Sequence, residues 1–295
     1  MKIVVMGAGA VGCYYGAKLA MAGHQVTLVG RPALVEAVNT NGLILEMAGE
    51  THVCPATATT DPSTVSDADM VLFCVKSGDT ENAGAQIAPY LKSDTPLLSL
   101  QNGISNPEAL EKVTGHAVIA AVVYMASAMA GSGVVRHEGR GELAIGGRDA
   151  ERVAGVLNAA QIPTEVSENV IGLLWSKLVI NCAYNAISAV GRQPYATLVQ
   201  VPGMSALIDD IVQECMAVAS AEGVRVPDGT LDTVRSVPEW MPNQFSSTAQ
   251  DIMRGRTTEI DYLNGEIARR AEAHGIAAPI NRTLTLLTKL VEPNT

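Results

Sequence analysis

Directly after the apolar run Lys2–Met6 the chain reads Gly7-Ala8-Gly9-Ala10-Val11-Gly12, and directly after that begins a helix-forming stretch reaching about residue 21. Few short segments restrict a fold so tightly. A strand that turns at once into a helix needs room at the turn, which Gly7 provides. Gly9 lets the main chain come close to a ligand, and Gly12 lets the helix pack onto the strand. The helix opening offers N–H groups without intrahelical partners and the positive end of the helix dipole, and both favour a phosphate. Placed strand–turn–helix at the head of a βαβ unit, the motif predicts a Rossmann-type dinucleotide-binding domain; the plainer alternative is a purely structural glycine turn.

The texture of the following sequence agrees with an α/β fold. Short β-rich runs at Lys2–Met6, Gln25–Val29, 70–75, 96–100 and 117–123 alternate with helical stretches. They are continuous rather than alternating in hydrophobicity, as expected when helices cover both faces of a mainly parallel sheet. Residues 134–137 and 142–145 read as a later hairpin turning around Gly139 and Gly141, and 149–161 as a closing helix. After about Val166 the β-rich runs stop. Helical stretches at 170–190, 204–222, 247–254 and 259–274, punctuated by Pro227, Pro238 and Pro242, make the remainder all-α. The predicted organisation is a dinucleotide-binding domain over 1–166 and a helical domain over 167–295 that carries substrate and catalysis.

Composition narrows the function classes. Thirty acidic against 20 basic side chains give a formal charge of −10, so no general field gathers nucleic acid or an anionic membrane. An anionic ligand has to be held by a local site. The five cysteines, at 13, 54, 74, 182 and 215, show no metal-ligand spacing, which predicts no metal and buried thiols in a reducing compartment. The longest apolar stretch, 117–130, is interrupted by Ser127 and is too short to span a bilayer, and residues 1–6 resemble a strand rather than a signal peptide. A soluble cytoplasmic protein is the expectation.

Four places carry candidate chemistry. At the end of the second strand, where an NAD-selective site carries an acidic residue for the ribose hydroxyl, the chain reads Val29-Gly30-Arg31-Pro32. A guanidinium there matches a 2′-phosphate and predicts NADPH, against the alternative of an ordinary surface arginine. Within 170–190, Lys177, Asn181, Asn185 and Ser188 fall at about 0°, 40°, 80° and 20° around a helix, one narrow polar stripe on an otherwise apolar element. Such a stripe lines a polar cleft, unless Lys177 snorkels to water and the amides bond neighbouring helices. Ser246-Ser247, Asp251 and 257–262 form another cluster, in which Glu259 also suits a helix start and Thr258 with Asp261 a variant capping box. Finally, Gln101-Asn102-Gly103 and Lys76 follow sheet strands, where open α/β sheets place ligands, although either could serve the turn alone.

Taken together, the glycine turn, Lys76, Gln101-Asn102-Gly103, Trp175-Ser176-Lys177 with Asn181 and Asn185, 258–262 ahead of Asn264-Gly265, and the closing stretch 274–279 resemble the ketopantoate reductase family over nearly the whole chain. The resemblance implies a Rossmann domain followed by a helical domain resembling that of 6-phosphogluconate dehydrogenase. It implies NADPH-dependent reduction of ketopantoate to pantoate, with chemistry in a cleft on which the two domains close. By the same resemblance, Lys177 is the general acid and Glu259 orients the substrate or that lysine. Asn181, Asn185 and Ser247 hold the substrate, and Asn102 touches both cofactor and substrate. Arg31 and Lys76 reach the adenosine phosphate, and the backbone at Ala126 runs along the nicotinamide.

One departure bears on the substrate. Where family members carry Pro-Asn-Gly with a substrate-contacting amide, this chain carries Pro194-Tyr195-Ala196. Another branched 2-oxo acid, a 3-hydroxy acid handled by a related dehydrogenase, and an NADP-sensing protein without activity therefore stay open beside ketopantoate. The partner expected is a small-molecule 2-oxo acid, and the apolar helices of the second domain leave room for a homodimer interface. Trp175 and Tyr184 are expected in the core.

Overall fold

The computed structural model describes residues 1–293, and the chain separates into two compact units, Met1–Val170 and Ile171–Thr295. In the first unit, β1 (Lys2–Met6), α1 (Ala10–Met21), β2 (Gln25–Val29) and α2 (Pro32–Asn41) form the opening βαβα unit. They are followed by β3 (Leu43–Met47), β4 (Glu50–Cys54) and β5 (Ala56–Thr59). Then come β6 (Met70–Phe73), α3 (Thr80–Ile87), β7 (Leu97–Ser99), α4 (Asn106–Thr114), β8 (Val118–Gly131), β9 (Val134–Gly146), α5 (Ala150–Ala159) and β10 (Thr164–Val166).

All ten strands lie in one sheet of order β4-β3-β9-β8-β7-β6-β1-β2-β5, with β10 paired to β9. Pairing is parallel except for β3 with β4 and β8 with β9. The alternation of β1 explains its continuous hydrophobicity. Ile3 and Val5 enter the core under α1 and α5, whereas Val4 and Met6 enter the opposite core with Ala83, Ile87 and Leu110 of α3 and α4. The chain crosses from the β2 side of β1 to its β6 side, so the topological switch point lies at the C-terminal end of β1, where the glycine turn begins.

Two expectations for this unit need correction. Gly139 and Gly141 do not turn a hairpin: 134–146 is one strand, and the turn is at Ser132-Gly133, with Gly133 at φ +71°. Ala126 pairs with Gly139 and Ser127 with His137, while Tyr124 pairs with Glu142 and Met125 with Arg140. The glycines thus serve bulges that kink a long ribbon, which local sequence does not distinguish from a reversal. The strands β3, β4 and β5 also went unread. They are short, two of them lie at sheet edges, and Glu50–Cys54 shows little apolar pattern.

The second unit holds α6 (Val170–Gly191, whose first residue belongs to the first unit), α7 (Tyr195–Leu198), α8 (Met204–Ala221), α9 (Thr230–Trp240), α10 (Ser247–Met253), α11 (Asn264–Ala273) and α12 (Pro279–Val291), with no strand among the described residues. α6 is long and apolar enough to cross a membrane, exceeding the stretch 117–130, but 67% of its most apolar window is buried inside the protein. Trp175 and Tyr184 lie in the core, at 2% and 1% exposure. Pro238 does not break a helix as expected; it sits inside α9. A proline there leaves the carbonyl four residues earlier without its helical donor. That carbonyl belongs to Val234, and the Tyr184 hydroxyl donates to it at 2.8 Å. The stretch 259–274 is likewise not one helix: a short 3₁₀ turn, Ile260–Tyr262, precedes α11, which starts at Asn264.

Candidate active site

The glycine turn shows three glycines with three reasons. Gly7 has φ +102°, and a Cβ on it would lie 2.6 Å from the Val75 nitrogen and 2.7 Å from the Cys74 carbonyl carbon. A Cβ on Gly12 would lie 2.2 Å from the Gly7 oxygen and 2.8 Å from Val5 Cγ1. Gly9 differs, because a Cβ there would meet nothing within 4 Å. Its lack of a side chain therefore answers no need of the protein's own packing. Gly9 caps α1 without a side-chain hydrogen bond, and no acidic residue occupies the first turn. The N–H groups of Ala10, Val11 and Gly12 are thus an uncapped helix opening without nearby negative charge, and these residues fit the phosphates of a dinucleotide.

Gly30 is a further positioning residue that sequence reading passed over. A Cβ there would come within 2.9 Å of Ala8 Cβ, so the exit of β2 lies directly against the glycine turn. Arg31, exposed, follows as the N-cap of α2, whose first residue is Pro32. On the other side of β1, Cys74 donates its N–H to the Met6 carbonyl at 2.7 Å, and exposed Lys76 stands two residues beyond.

The exit of β7 is tied to the exit of β6 by a polar network also missed in the sequence. The Gln101 amide donates to the Val75 carbonyl at 3.1 Å and to Thr80 Oγ1 at 2.7 Å, and it accepts from the Ser99 hydroxyl at 3.1 Å. The Asn102 carbonyl accepts from Ser77 Oγ at 3.1 Å and from the Asn106 amide, which also donates to Ser77 Oγ at 3.1 Å. Gln101 is therefore a structural tie, while Asn102 is held by its main chain at the C-terminal edge of the sheet. The one signal that could have found this network is the density of Ser, Thr, Asn and Gln immediately after two apolar strands.

Ala126 lies inside β8 rather than after it. Ser99 pairs with Ala120, so β8 runs on well past the end of β7 as a ribbon with β9. α1 packs on this ribbon through Tyr14, stacked on His137 at 4.8 Å, and through Tyr15, whose hydroxyl donates to the Gly141 carbonyl at 3.4 Å. The bulge after Ala126 re-aims the next side chain, and the Ser127 hydroxyl is buried without a hydrogen-bond partner among the described residues. A buried hydroxyl in that condition keeps its bonding capacity for a water or a ligand atom.

In the second unit the stripe of α6 divides. Ser188 is occupied, donating to the Gln193 carbonyl at 2.8 Å and accepting from the Ser246 N–H at 3.3 Å. The amides of half-buried Asn181 and of Asn185, 4% exposed, make no hydrogen bond among the described residues. Lys177 is half-buried on the same line. Ser246 donates to the Asn185 carbonyl at 3.1 Å and caps α10 by accepting from the Ala249 N–H at 3.0 Å. That node fixes exposed Ser247, the first residue of α10, beside Asn185.

Half-buried Glu259 belongs to a segment pinned at both ends. The Thr258 N–H donates to Glu292 at 2.9 Å, Lys289 pairs with Asp261 at 2.6 Å, and the Asn264 amide donates to the Cys182 carbonyl at 3.0 Å. The Thr258–Asp261 capping box is absent, since Thr258 turns to Glu292 and no long helix starts there. The candidate residues therefore form two sets. Residues 7–12, Arg31, Lys76, Asn102 and Ala126 belong to the first unit; Lys177, Asn181, Asn185, Ser247 and Glu259 belong to the second.

The model of the family described as ketopantoate reductase PanE/ApbA matches residues 3–150, and that of its C-terminal part matches residues 169–292. The chain belongs to the ketopantoate reductase PanE/ApbA family. It is similar to a 2-dehydropantoate 2-reductase of Pyrococcus horikoshii, 34% identical over 99% of this chain and 98% of that one. A PanE/ApbA family ketopantoate reductase from Ralstonia eutropha JMP134 is 50% identical with a TM-score of 0.96, covering 99% and 98% of the two chains. D-mandelate dehydrogenase, solved in a ternary structure with NADH and anilino(oxo)acetate, is 26% identical with a TM-score of 0.92 over 99% and 98%. The ketopantoate reductase fold, a Rossmann-type sheet followed by a helical part, thus extends over the full chain, and the family is one of dinucleotide-binding oxidoreductases.

Proposed function

We propose that this protein reduces ketopantoate to pantoate with NADPH, in the cytoplasm, on the route to pantothenate and coenzyme A. The observation that carries this reading is the α6 stripe. Lys177, Asn181 and Asn185 lie on one face of a largely buried helix, and both amides lack a partner among the described residues in a chain of this family.

The glycine turn and the opening of α1 hold the pyrophosphate, Arg31 and Lys76 hold the adenosine 2′-phosphate, and the Ala126 backbone supports the nicotinamide ring. When bound in reduced form, the cofactor supplies hydride to the substrate carbonyl carbon. Lys177 gives a proton to the carbonyl oxygen as negative charge gathers there, and its cationic form stabilises that charge before transfer. Glu259 orients this lysine or the substrate. Asn181, Asn185 and Ser247 hydrogen-bond the carboxylate and hydroxyl of the substrate, and Asn102 holds the carbonyl end against the cofactor. Neutral amides suit this task because they orient a carboxylate without burying a second unpaired charge. All five cysteines are unpaired, which supports a reducing compartment.

The likeness to D-mandelate dehydrogenase favours a second reading, NADH-linked turnover of a different 2-oxo acid. Arg31 speaks for NADPH, since an arginine at the exit of β2 offers no acceptor to a plain ribose. Steady-state oxidation of NADPH and NADH with ketopantoate, in the natural protein and in Lys177→Ala, decides between them. A KM for NADPH at least about tenfold below that for NADH is expected, with a fall in kcat of about 100-fold or more in Lys177→Ala, in the range of a lost general acid. Preference for NADH overturns the cofactor assignment, and undiminished turnover in Lys177→Ala overturns the proposed acid.

A further inference from the structure

Helix α12 carries its hydrophobic side outward. Around the helix, Thr283, Leu286 and Leu287 fall within about 60° of Leu290. All four are exposed, Leu290 at 79%, Leu286 at 56% and Leu287 at 39%. The buried side, roughly opposite, consists of Asn281, Leu284, Thr285 and Thr288. A helix on the surface of a monomeric protein is ordinarily arranged the other way, with its apolar stripe against the core.

The inward polar groups explain how α12 is held without those leucines. Glu214 accepts from the N–H groups of Ile280 and Asn281 at 2.9 Å and from the Asn281 amide at 2.8 Å, and the Asn281 side-chain oxygen accepts from the Asn264 amide at 2.9 Å. The hydroxyls of Thr285 and Thr288 donate to the carbonyls of Asn281 and Leu284, both at 2.8 Å. These bonds and Leu284 seat the helix, and the outer leucines are left over. The apolar surface continues beyond them. Val291 packs against the small cluster of Ala189, Ala249 and Ile252, and the chain neighbours of that cluster, Val190 at the end of α6 and Met253 at the end of α10, are exposed at 38% and 54%. Together the five exposed apolar residues leave about 500 Å² in water, close to the apolar share of the roughly 800 Å² that each partner of a standard interface buries.

Charge selects the occupant. Two copies of a chain with formal charge −10 repel each other on approach, least where the facing surfaces lack acidic groups. No acidic residue occurs in α12. Its cations are exposed Arg282 and Lys289, and the latter is neutralised by Asp261 at 2.6 Å.

We infer that the outer face of α12, with Val190 and Met253 beside it, is the interface of a two-fold homodimer in which the two α12 helices pack antiparallel. A two-fold axis through the middle of the stripe brings the same patch of both copies together. It sets Leu290 opposite Thr283 of the partner subunit, a large side chain against a small one, and Leu286 opposite Leu287 of the partner subunit.

Sedimentation equilibrium of the full chain tests this. At about 10 μM the natural protein has twice the 30.8 kDa mass of one chain, and its thermal midpoint rises with protein concentration. Leu290→Glu and Leu286→Glu, each at an exposed position, weaken the association at least about 100-fold and give a folded monomer with an unchanged far-ultraviolet circular dichroism spectrum. Val53→Glu, at an apolar residue 67% exposed on β4, leaves the dimer intact. A natural protein that is monomeric at this concentration, including one that instead sediments with anionic lipid vesicles, overturns the inference. So does a dimer that persists in both leucine variants, or one that Val53→Glu disrupts equally.

Discussion

Replacing Gly7, Gly9 and Gly12 one at a time by alanine separates stability from cofactor binding within a single six-residue motif. Gly7→Ala places a β-carbon 2.6 Å from a backbone nitrogen and 2.7 Å from a backbone carbon, at a residue whose φ is +102°. The conformation alone costs about 1–3 kcal/mol for a residue with a side chain, and backbone atoms have no rotamer by which to withdraw, so a loss of about 3 kcal/mol or more is expected. Gly12→Ala gains up to about 1 kcal/mol of helix propensity but meets the Gly7 oxygen at 2.2 Å. Overpacking of that kind costs about 1–3 kcal/mol, so it too destabilises on balance.

Gly9→Ala is the informative member. Its φ of −83° and ψ of −169° suit alanine, and a Cβ meets nothing within 4 Å. The weaker cap and the reduced entropy of the unfolded chain roughly cancel, within about 0.5 kcal/mol. On the proposed function the new methyl enters the space left for the pyrophosphate, and the tenfold weaker Kd for NADPH expected from it corresponds to about 1.4 kcal/mol. Denaturant unfolding without cofactor, and fluorescence titration with it, measure the two quantities. The reasoning fails if Gly9→Ala unfolds as readily as Gly7→Ala, or if it binds NADPH as well as the natural protein.

Two further predictions follow from the helical unit. Tyr184→Phe removes the hydroxyl that donates to the Val234 carbonyl in place of the helical hydrogen bond lost at Pro238, and it should lower stability by about 1–3 kcal/mol. In the Pro238→Ala background the backbone N–H returns, so the same substitution should cost clearly less; equal losses in both backgrounds would refute the compensation. Hydrogen bonds from the Arg235 guanidinium, at 2.7 and 3.1 Å, hold the Asp209 carboxyl below its ordinary range. A depressed folded-state value means that the stabilisation is present above the unfolded carboxylate pKa of about 3.9 and is lost as pH falls through the folded value. Asp209→Asn should therefore unfold at a slightly lower temperature at pH 7, with the difference vanishing in acid, and a difference that persists in acid would refute the assignment.

Legibility from the sequence followed the range of the interaction. Strands β1 and β2 read to the residue, and helix α1 to within a turn, because a continuous apolar run, a glycine turn and a small-residue helix are local patterns. The segments read poorly were those whose state depends on distant partners. Gly139 and Gly141 resemble a reversal until β8 is laid alongside them, since a bulge exists only relative to a partner strand. Pro238 resembles a helix end until the Tyr184 hydroxyl, 54 positions earlier in the chain, supplies the missing donor.

The candidate site divides along the same line. Residue types and spacing alone determined the glycine turn after β1, the arginine in place of an acid at the exit of β2 and the alignment of Lys177, Asn181 and Asn185, because local pattern and helical periodicity are properties of the chain itself. Only tertiary structure decided which polar groups are already used. Ser188 and Gln101 are consumed by protein hydrogen bonds, whereas the amides of Asn181 and Asn185 have no partner among the described residues. Whether a buried donor is satisfied depends on atoms brought near it from elsewhere in the chain, and that is the property separating a structural amide from one able to hold a substrate.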